Sequence, residues 1–198
     1  MSPRRKRSSG ITAAELMAQL AQDKDYLART AAAEAEREVR AQELRRAEQP
    51  IVADLRAAGV EVTSVWDLVN TAEPYPAALP VLLDHLQRGG YPDRVMESLA
   101  TALAVGPAAF AWPTLRELYM NATGRGEVEG LAVALAASAT PDHLDGLIDL
   151  LHEESRGDTR VHFLRAIKRV GGQRGRDILT QLRSDPLFGP EARALHKG

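Results

Sequence analysis

Apolar positions return along this chain at a fixed interval. Leu83 and Leu86 in VLLDHL stand three apart, and successive steps of 32 residues bring the pair back as Leu115 and Leu118, Leu147 and Leu150, and Leu179 and Leu182. A second set keeps the same step. It comprises Leu99, Leu131, Phe163 and Leu195, the first three followed by Ala102-Leu103, Ala134-Leu135 and Ala166-Ile167. Positions i, i+3 and i+4 share one helical face, so each unit predicts two helices, each with an apolar stripe. Breakers fall between them at Gly89-Gly90, Gly106-Pro107, Gly124 to Gly126, Thr140-Pro141, Gly157, Gly171-Gly172 and Asp185-Pro186. Thr140 or Asp142, and Asp158 or Thr159, stand where helix N-caps belong. Neither helix of a pair could bury its stripe alone. Neighbouring pairs must therefore stack, and the fixed step keeps their stripes aligned in one core. Each leucine of the first set would contribute about 2 kcal/mol if fully buried.

Paired helices at this spacing are joined by two further features: a proline inside the first helix, at Pro80 and Pro113, and an Ala-Leu or Ala-Ile step before Gly in the second, as in ALAVG and AIKRVG. Together they resemble the HEAT repeats of armadillo-type helical solenoids, over about residues 75–198. The second unit departs from the pattern, because GEVEGLAVALAASA is nearly all small and apolar and shows no clear second-helix arginine. The resemblance implies an all-α fold, a right-handed α-solenoid of HEAT-like helix pairs, with the second helices lining its concave surface. A proline inside the first helix predicts a lost hydrogen bond and a kink there.

Upstream, residues 50–74 read as a divergent helix pair that caps the repeats. Pro50 opens a helix to about Ala58, Gly59 stops it, and Ser64 caps a short helix carrying Trp66, Leu68 and Val69. Residues 11–48 predict a long N-terminal helical arm, opened by the capping-box pattern Thr12-x-x-Glu15. Leu16, Met17, Leu20 and Leu27 make one end of the arm sticky. Residues 28–43 offer only Ala, charge and Val39, so this stretch should be solvated or ordered on a partner. No three heptads follow in succession, which argues against a coiled coil. Residues 1–10, MSPRRKRSSG, read as a disordered basic tail.

Composition narrows the chemistry. The chain has no cysteine, which removes disulfides, thiolate zinc sites and cysteine nucleophiles and suits a reducing, cytoplasmic setting. No run approaches 18 apolar residues, and no apolar segment of signal-peptide type follows the basic start, so neither membrane spanning nor export is expected. A net charge of −2 conceals a polarity: residues 59–158 carry five Lys/Arg against fifteen acids, and 159–198 carry nine against three. Such asymmetry bears on partners and not on fold.

Catalytic patterns are thin. His85, His143, His152, His162 and His196 fall at unrelated helix positions, read as surface or half-buried side chains, and no metal or cofactor is expected. GRGEVEG at 124–130 has the glycines of a phosphate loop without its strand or lysine, and reads as a turn between helices. Asp142, Asp145 and Asp149 lie along one ridge and read as a solvated face. Trp112, beside Pro113, reads as packed and not as a stacking platform.

One constellation remains. If positions 99, 102 and 103 face the core, those near 97, 101 and 104 face away. Stepping by 32 gives Glu97 and Thr101, then Glu129 and Val133, then Arg165, Lys168 and Arg169, then Arg193 and Lys197. This ridge passes from acidic through apolar to basic, and a helix as apolar all round as GLAVALAASA is usually covered. The expectation is a non-enzymatic interaction module that binds a protein through this face. Two alternatives stand beside it. One is a nucleic-acid binder, including a HEAT-like DNA glycosylase type, supported by the basic tail and the Arg165-to-Lys197 patch. The other is an immunity-type neutraliser of a basic protein, supported by the acidic middle. Because Arg165 and Arg169 sit opposite the core stripe, reversing both to Glu is expected to leave folding intact.

Overall fold

A computed structural model of the chain describes residues 11–13, 17 and 23–196. The basic tail, Leu16 and Leu20, Glu15 of the capping-box pattern, and Lys197 of the ridge lie outside the described residues. The chain divides into two compact units, Met1–Glu43 and Leu44–Gly198. Every regular element among the described residues is helical, so the fold is all-α.

In the first unit the helix α1, Lys24–Ala57, begins under a cap from Asp23, whose Oδ1 accepts the N–H groups of Asp25 and Tyr26 at 3.0 Å each. Tyr26, Leu27 and Val39 are exposed, in keeping with a stretch of Ala and charge. The boundary between the units falls within α1. The helix runs on through Pro50, where the sequence predicts a fresh start. A proline inside a helix strips the carbonyl four residues back of its donor, here Arg46. Both residues are exposed, so water can serve that carbonyl and the helix continues.

The second unit begins with the last turns of α1, which bury Glu48, Ile51, Val52 and Leu55. Burial raises the Glu48 carboxyl above its ordinary range, against a hydrogen bond with Ser64 that lowers it. Gly59, at φ 81°, supplies the left-handed turn that leads out of α1. The short α2, Trp66–Val69, starts where Ser64 Oγ accepts the Trp66 N–H at 3.2 Å. Eight helices follow: α3 Ala78–Arg88, α4 Asp93–Ala102, α5 Trp112–Asn121, α6 Arg125–Ser138, α7 Leu144–Leu151, α8 His162–Val170, α9 Gly172–Gln181 and α10 Gly189–His196. Short 3₁₀ stretches lead into α5, α7 and α8 and follow α9.

Each first helix packs on its own second helix, α3 on α4, α5 on α6 and α7 on α8, while α4, α6 and α8 stack on one another in order. The last helix, α10, touches both α8 and α9. The closest stacking is α4 on α6, and Gly130 permits it: a Cβ there would stand 2.8 Å from the Glu97 carbonyl oxygen. The second-helix stripe is as the periodicity predicts in the first three units, whereas Leu195 of the fourth is only half-buried. Leu99, Ala102 and Leu103, Leu131, Ala134 and Leu135, and Phe163, Ala166 and Ile167 are all at most 2% exposed.

The first helices follow the step less strictly. Leu86, Leu115, Leu147, Leu150 and Leu179 are buried, whereas Leu83, Leu118 and Leu182 only pack against the core from its edge. In α3 the buried stripe is Leu79, Leu82, His85 and Leu86, and in α5 it is Trp112, Leu115 and Tyr119. Pro80 and Pro113 fall in the first turns of α3 and α5. A first-turn residue has no intrahelical partner for its N–H, so no hydrogen bond is lost and the expected kink has no cause there.

Candidate functional site

Along the ridge opposite the second-helix stripe, Glu129, Arg165 and Lys168 reach the next helix in the row, while the polar contacts of Glu97 and Thr101 stay within their own helix. On α4, Arg94 Nη1 donates to Glu97 Oε2 at 2.7 Å, and the Thr101 hydroxyl donates to the Glu97 carbonyl at 2.7 Å. On α6, Glu129 Oε1 meets His162 Nε2 of α8 at 2.6 Å, with Val133 half-buried one turn on. On α8, Arg165 Nε donates to Glu191 Oε1 of α10 at 2.8 Å, and Lys168 Nζ donates to the Leu195 carbonyl at 2.6 Å. Arg193 donates to the Arg183 carbonyl.

Arg169 has a different task. Its guanidinium donates to the carbonyls of Ala136 at 2.6 Å, Ala139 at 3.1 Å and Ala137 at 3.2 Å. These are last-turn carbonyls of α6 and its C-cap, which have no intrahelical donor, and the arginine also places positive charge at the negative end of the helix. Arg156 does the same for α5, donating to the carbonyls of Tyr119, Met120 and Ala122 at 2.9–3.0 Å. Arg160 likewise serves α7 through the Leu151 carbonyl at 2.8 Å. Much of the positive charge after residue 155 is thus committed to finishing helices. On the ridge, Arg165 makes one ion pair from a side chain that is 76% exposed.

The glycine-rich GRGEVEG segment opens α6, with Gly124 as its N-cap. Its helix N-terminus is filled by the chain's own anion: the Asp93 carboxylate accepts the Gly126 N–H at 2.9 Å and the Glu127 N–H at 3.0 Å. A Cβ on Gly124 would collide with Asp93 Oδ1, so the glycine makes room for the carboxylate. Burial, followed by the repulsion of Asp93, raises the Glu127 carboxyl.

The histidines are more structural than their spacing suggests. His85 is fully buried, with Nδ1 2.7 Å from the Tyr91 hydroxyl and Nε2 2.9 Å from Asp54 Oδ2, so it ties α1 to α3. This corrects the surface or half-buried reading of that residue. The signal was available, since His85 lies on the i, i+3 stripe of Leu82. His143 closes a capping box, its Nδ1 accepting the Thr140 N–H at 3.0 Å. Its ring stacks on the Trp112 indole at 4.4 Å and 7°. Desolvation lowers its pKa, against a smaller upward pull from Asp142.

Trp112 is buried at 5% exposure and donates from Nε1 to the Leu135 carbonyl at 3.2 Å, as the packed reading expects. Asp145 and Asp149 pair outward with Arg174 at 2.6 Å and Arg116 at 3.5 Å. Among the described residues no three His, Asp or Glu side chains converge as a metal-ligand set, and no single helix is long and apolar enough to cross a membrane.

A comparison with family models, curated proteins and solved structures finds no match to this chain.

Proposed function

We propose that the chain is a right-handed HEAT-like solenoid acting as a non-enzymatic interaction module, which binds another protein along the ridge of its second helices. The observation that carries this reading is the ordered stacking of α4, α6 and α8. A row of equivalent helices presents equivalent faces side by side, and such faces bind extended partners. The ridge offers Glu97 and Glu129 at one end, half-buried Val133 in the middle and Arg165 at the other, a pattern that a protein of mixed charge can complement.

The nucleic-acid reading is less favoured, because Lys168, Arg169 and Arg193 direct charge into backbone carbonyls and leave fewer donors for phosphates. The test is affinity capture from host lysate at moderate salt after nuclease treatment, comparing the native chain with an Arg165→Glu, Glu129→Lys variant. A discrete protein that is retained by the native chain and lost by the variant supports the reading. Retention unchanged by the variant removes the ridge from consideration, and recovery abolished by nuclease favours nucleic acid.

A further inference from the structure

The gap between first helices α7 and α9 is a cavity of about 590 Å³, within the range of small-molecule sites. It lies on the first helices, apart from the ridge, and its failure as a site would leave the preceding reading untouched. The corresponding interval upstream is lined differently. One interval upstream, between α5 and α7, the Trp112 indole lies against Gly146, whose missing side chain makes room for it. Moving 32 residues along, those two positions are Leu144 and Ile178, and no aromatic ring spans the gap.

The floor of the cavity is apolar, formed by Ile148, Leu151, Ile178 and Phe188. Its polar wall is built around Arg160. That guanidinium stands 5.3 Å from the Phe188 ring centroid and is pinned by donation from Nε to the Gly157 carbonyl at 2.9 Å and from Nη1 to the Leu151 carbonyl at 2.8 Å. Among the described residues its Nη2 has no hydrogen-bond partner and it is not fully buried, so the side chain that lines the cavity keeps a charged donor to spare. Beside it, His152 Nδ1 donates to the Ile148 carbonyl at 2.8 Å, which turns Nε2 outward. Of the acids at the rim, Asp185 already spends Oδ1 on the Leu187 and Phe188 N–H groups at 2.8 and 2.9 Å, and Glu154 is exposed. A pre-oriented guanidinium above an apolar floor matches an acid with a hydrocarbon body.

We propose that this cavity binds a carboxylate carrying an apolar body, either a free organic acid or the C-terminal residue of a polypeptide. The test is a titration of the full chain followed by NMR of the isoleucine methyl groups. The probes are octanoate for the free acid, a short acetylated peptide ending in leucine for the chain terminus, and octanamide and the peptide amide as neutral controls. Saturable shifts at Ile148 and Ile178 are expected with an acid, and binding by its amide should be roughly 10- to 100-fold weaker. The tighter of the two acids identifies the source. Absence of saturable shifts with both acids, equal binding by the amides, or shifts confined to other isoleucines would overturn the proposal. An Ile178→Trp variant, which places an indole on the cavity floor, should abolish the shift at Ile148 while helicity is retained; retained binding in that folded variant would also overturn it.

Discussion

Reversing Arg165 and Arg169 to Glu separates two residues that the sequence treats alike. Arg169 donates three hydrogen bonds to the end of α6, whereas Arg165 makes one ion pair from a side chain that is 76% exposed. Hydrogen bonds from a charged donor contribute roughly 1.5–3 kcal/mol in favourable settings, and a cation at a helix C-terminus a further 0.3–1 kcal/mol. Arg169 is itself exposed, so these figures are discounted, and Arg169→Glu is expected to cost about 2 kcal/mol. For a chain of this size that lowers Tm by about 4–8 °C. Arg165→Glu loses only a surface pair, at about 0–1 kcal/mol, and should shift Tm by less than about 4 °C. Arg169→Lys, which keeps the charge but not the planar fork, should fall between. Differential scanning calorimetry of the three single variants, with circular dichroism to confirm helicity, reads the difference. Equal shifts for the two Glu variants would refute the reasoning, and so would a neutral Arg169→Glu.

Two further outcomes follow from the same contacts. His143 accepts a backbone N–H through Nδ1, and its folded pKa lies below the ordinary 6.5, so the folded state prefers the neutral ring. The stability this contributes is complete above about pH 6.5 and is lost as pH falls through the lowered folded value; urea midpoints measured on both sides should fall on acidification for the native chain and flatten in His143→Asn. A Gly146→Ala substitution, despite a helix-propensity gain of about 1 kcal/mol, drives a methyl into the Trp112 ring held between His143 and the Leu135 carbonyl. It should give a net loss of about 1–2 kcal/mol together with a shift in tryptophan fluorescence, and a stabilised variant would show that the indole can move aside.

The second-helix stripe was legible because its positions satisfy helical periodicity and nothing else competes for that face; Leu99, Leu131 and Phe163 are all fully buried. The first-helix face was blurred because VLLDHL offers adjacent leucines, and packing selected Leu82 over Leu83. Proline chemistry misled twice in the same way: Pro50 looks like a helix start yet lies inside α1, while Pro80 and Pro113 look internal yet lie in first turns. A proline constrains its own φ and the carbonyl four residues back, and neither fact reveals where the helix began. None of the described ridge residues is buried, but sequence spacing shows direction and not occupancy. That Arg169 reaches back 30–33 residues to carbonyls of α6 depends on how closely α8 stacks on α6. Asp93 at the start of α6 and the open interval between α7 and α9 are products of the same stacking, with no local signature.

The arginine clamps have a bearing on how the helix pairs assemble. The end of α5 is completed by Arg156, which lies beyond α7, and the end of α6 by Arg169, which lies on α8. A unit therefore reaches its full stability only after its successor has docked, and each docking event repairs a defect left by the one before. Folding that advances in this way is strongly coupled between neighbours, so partially unzipped forms are sparse and the helix pairs are poor candidates for shuffling or excision. A chain cut between α7 and α8 would lose more than the missing helices' own share, because the preceding pair would be left with ragged ends.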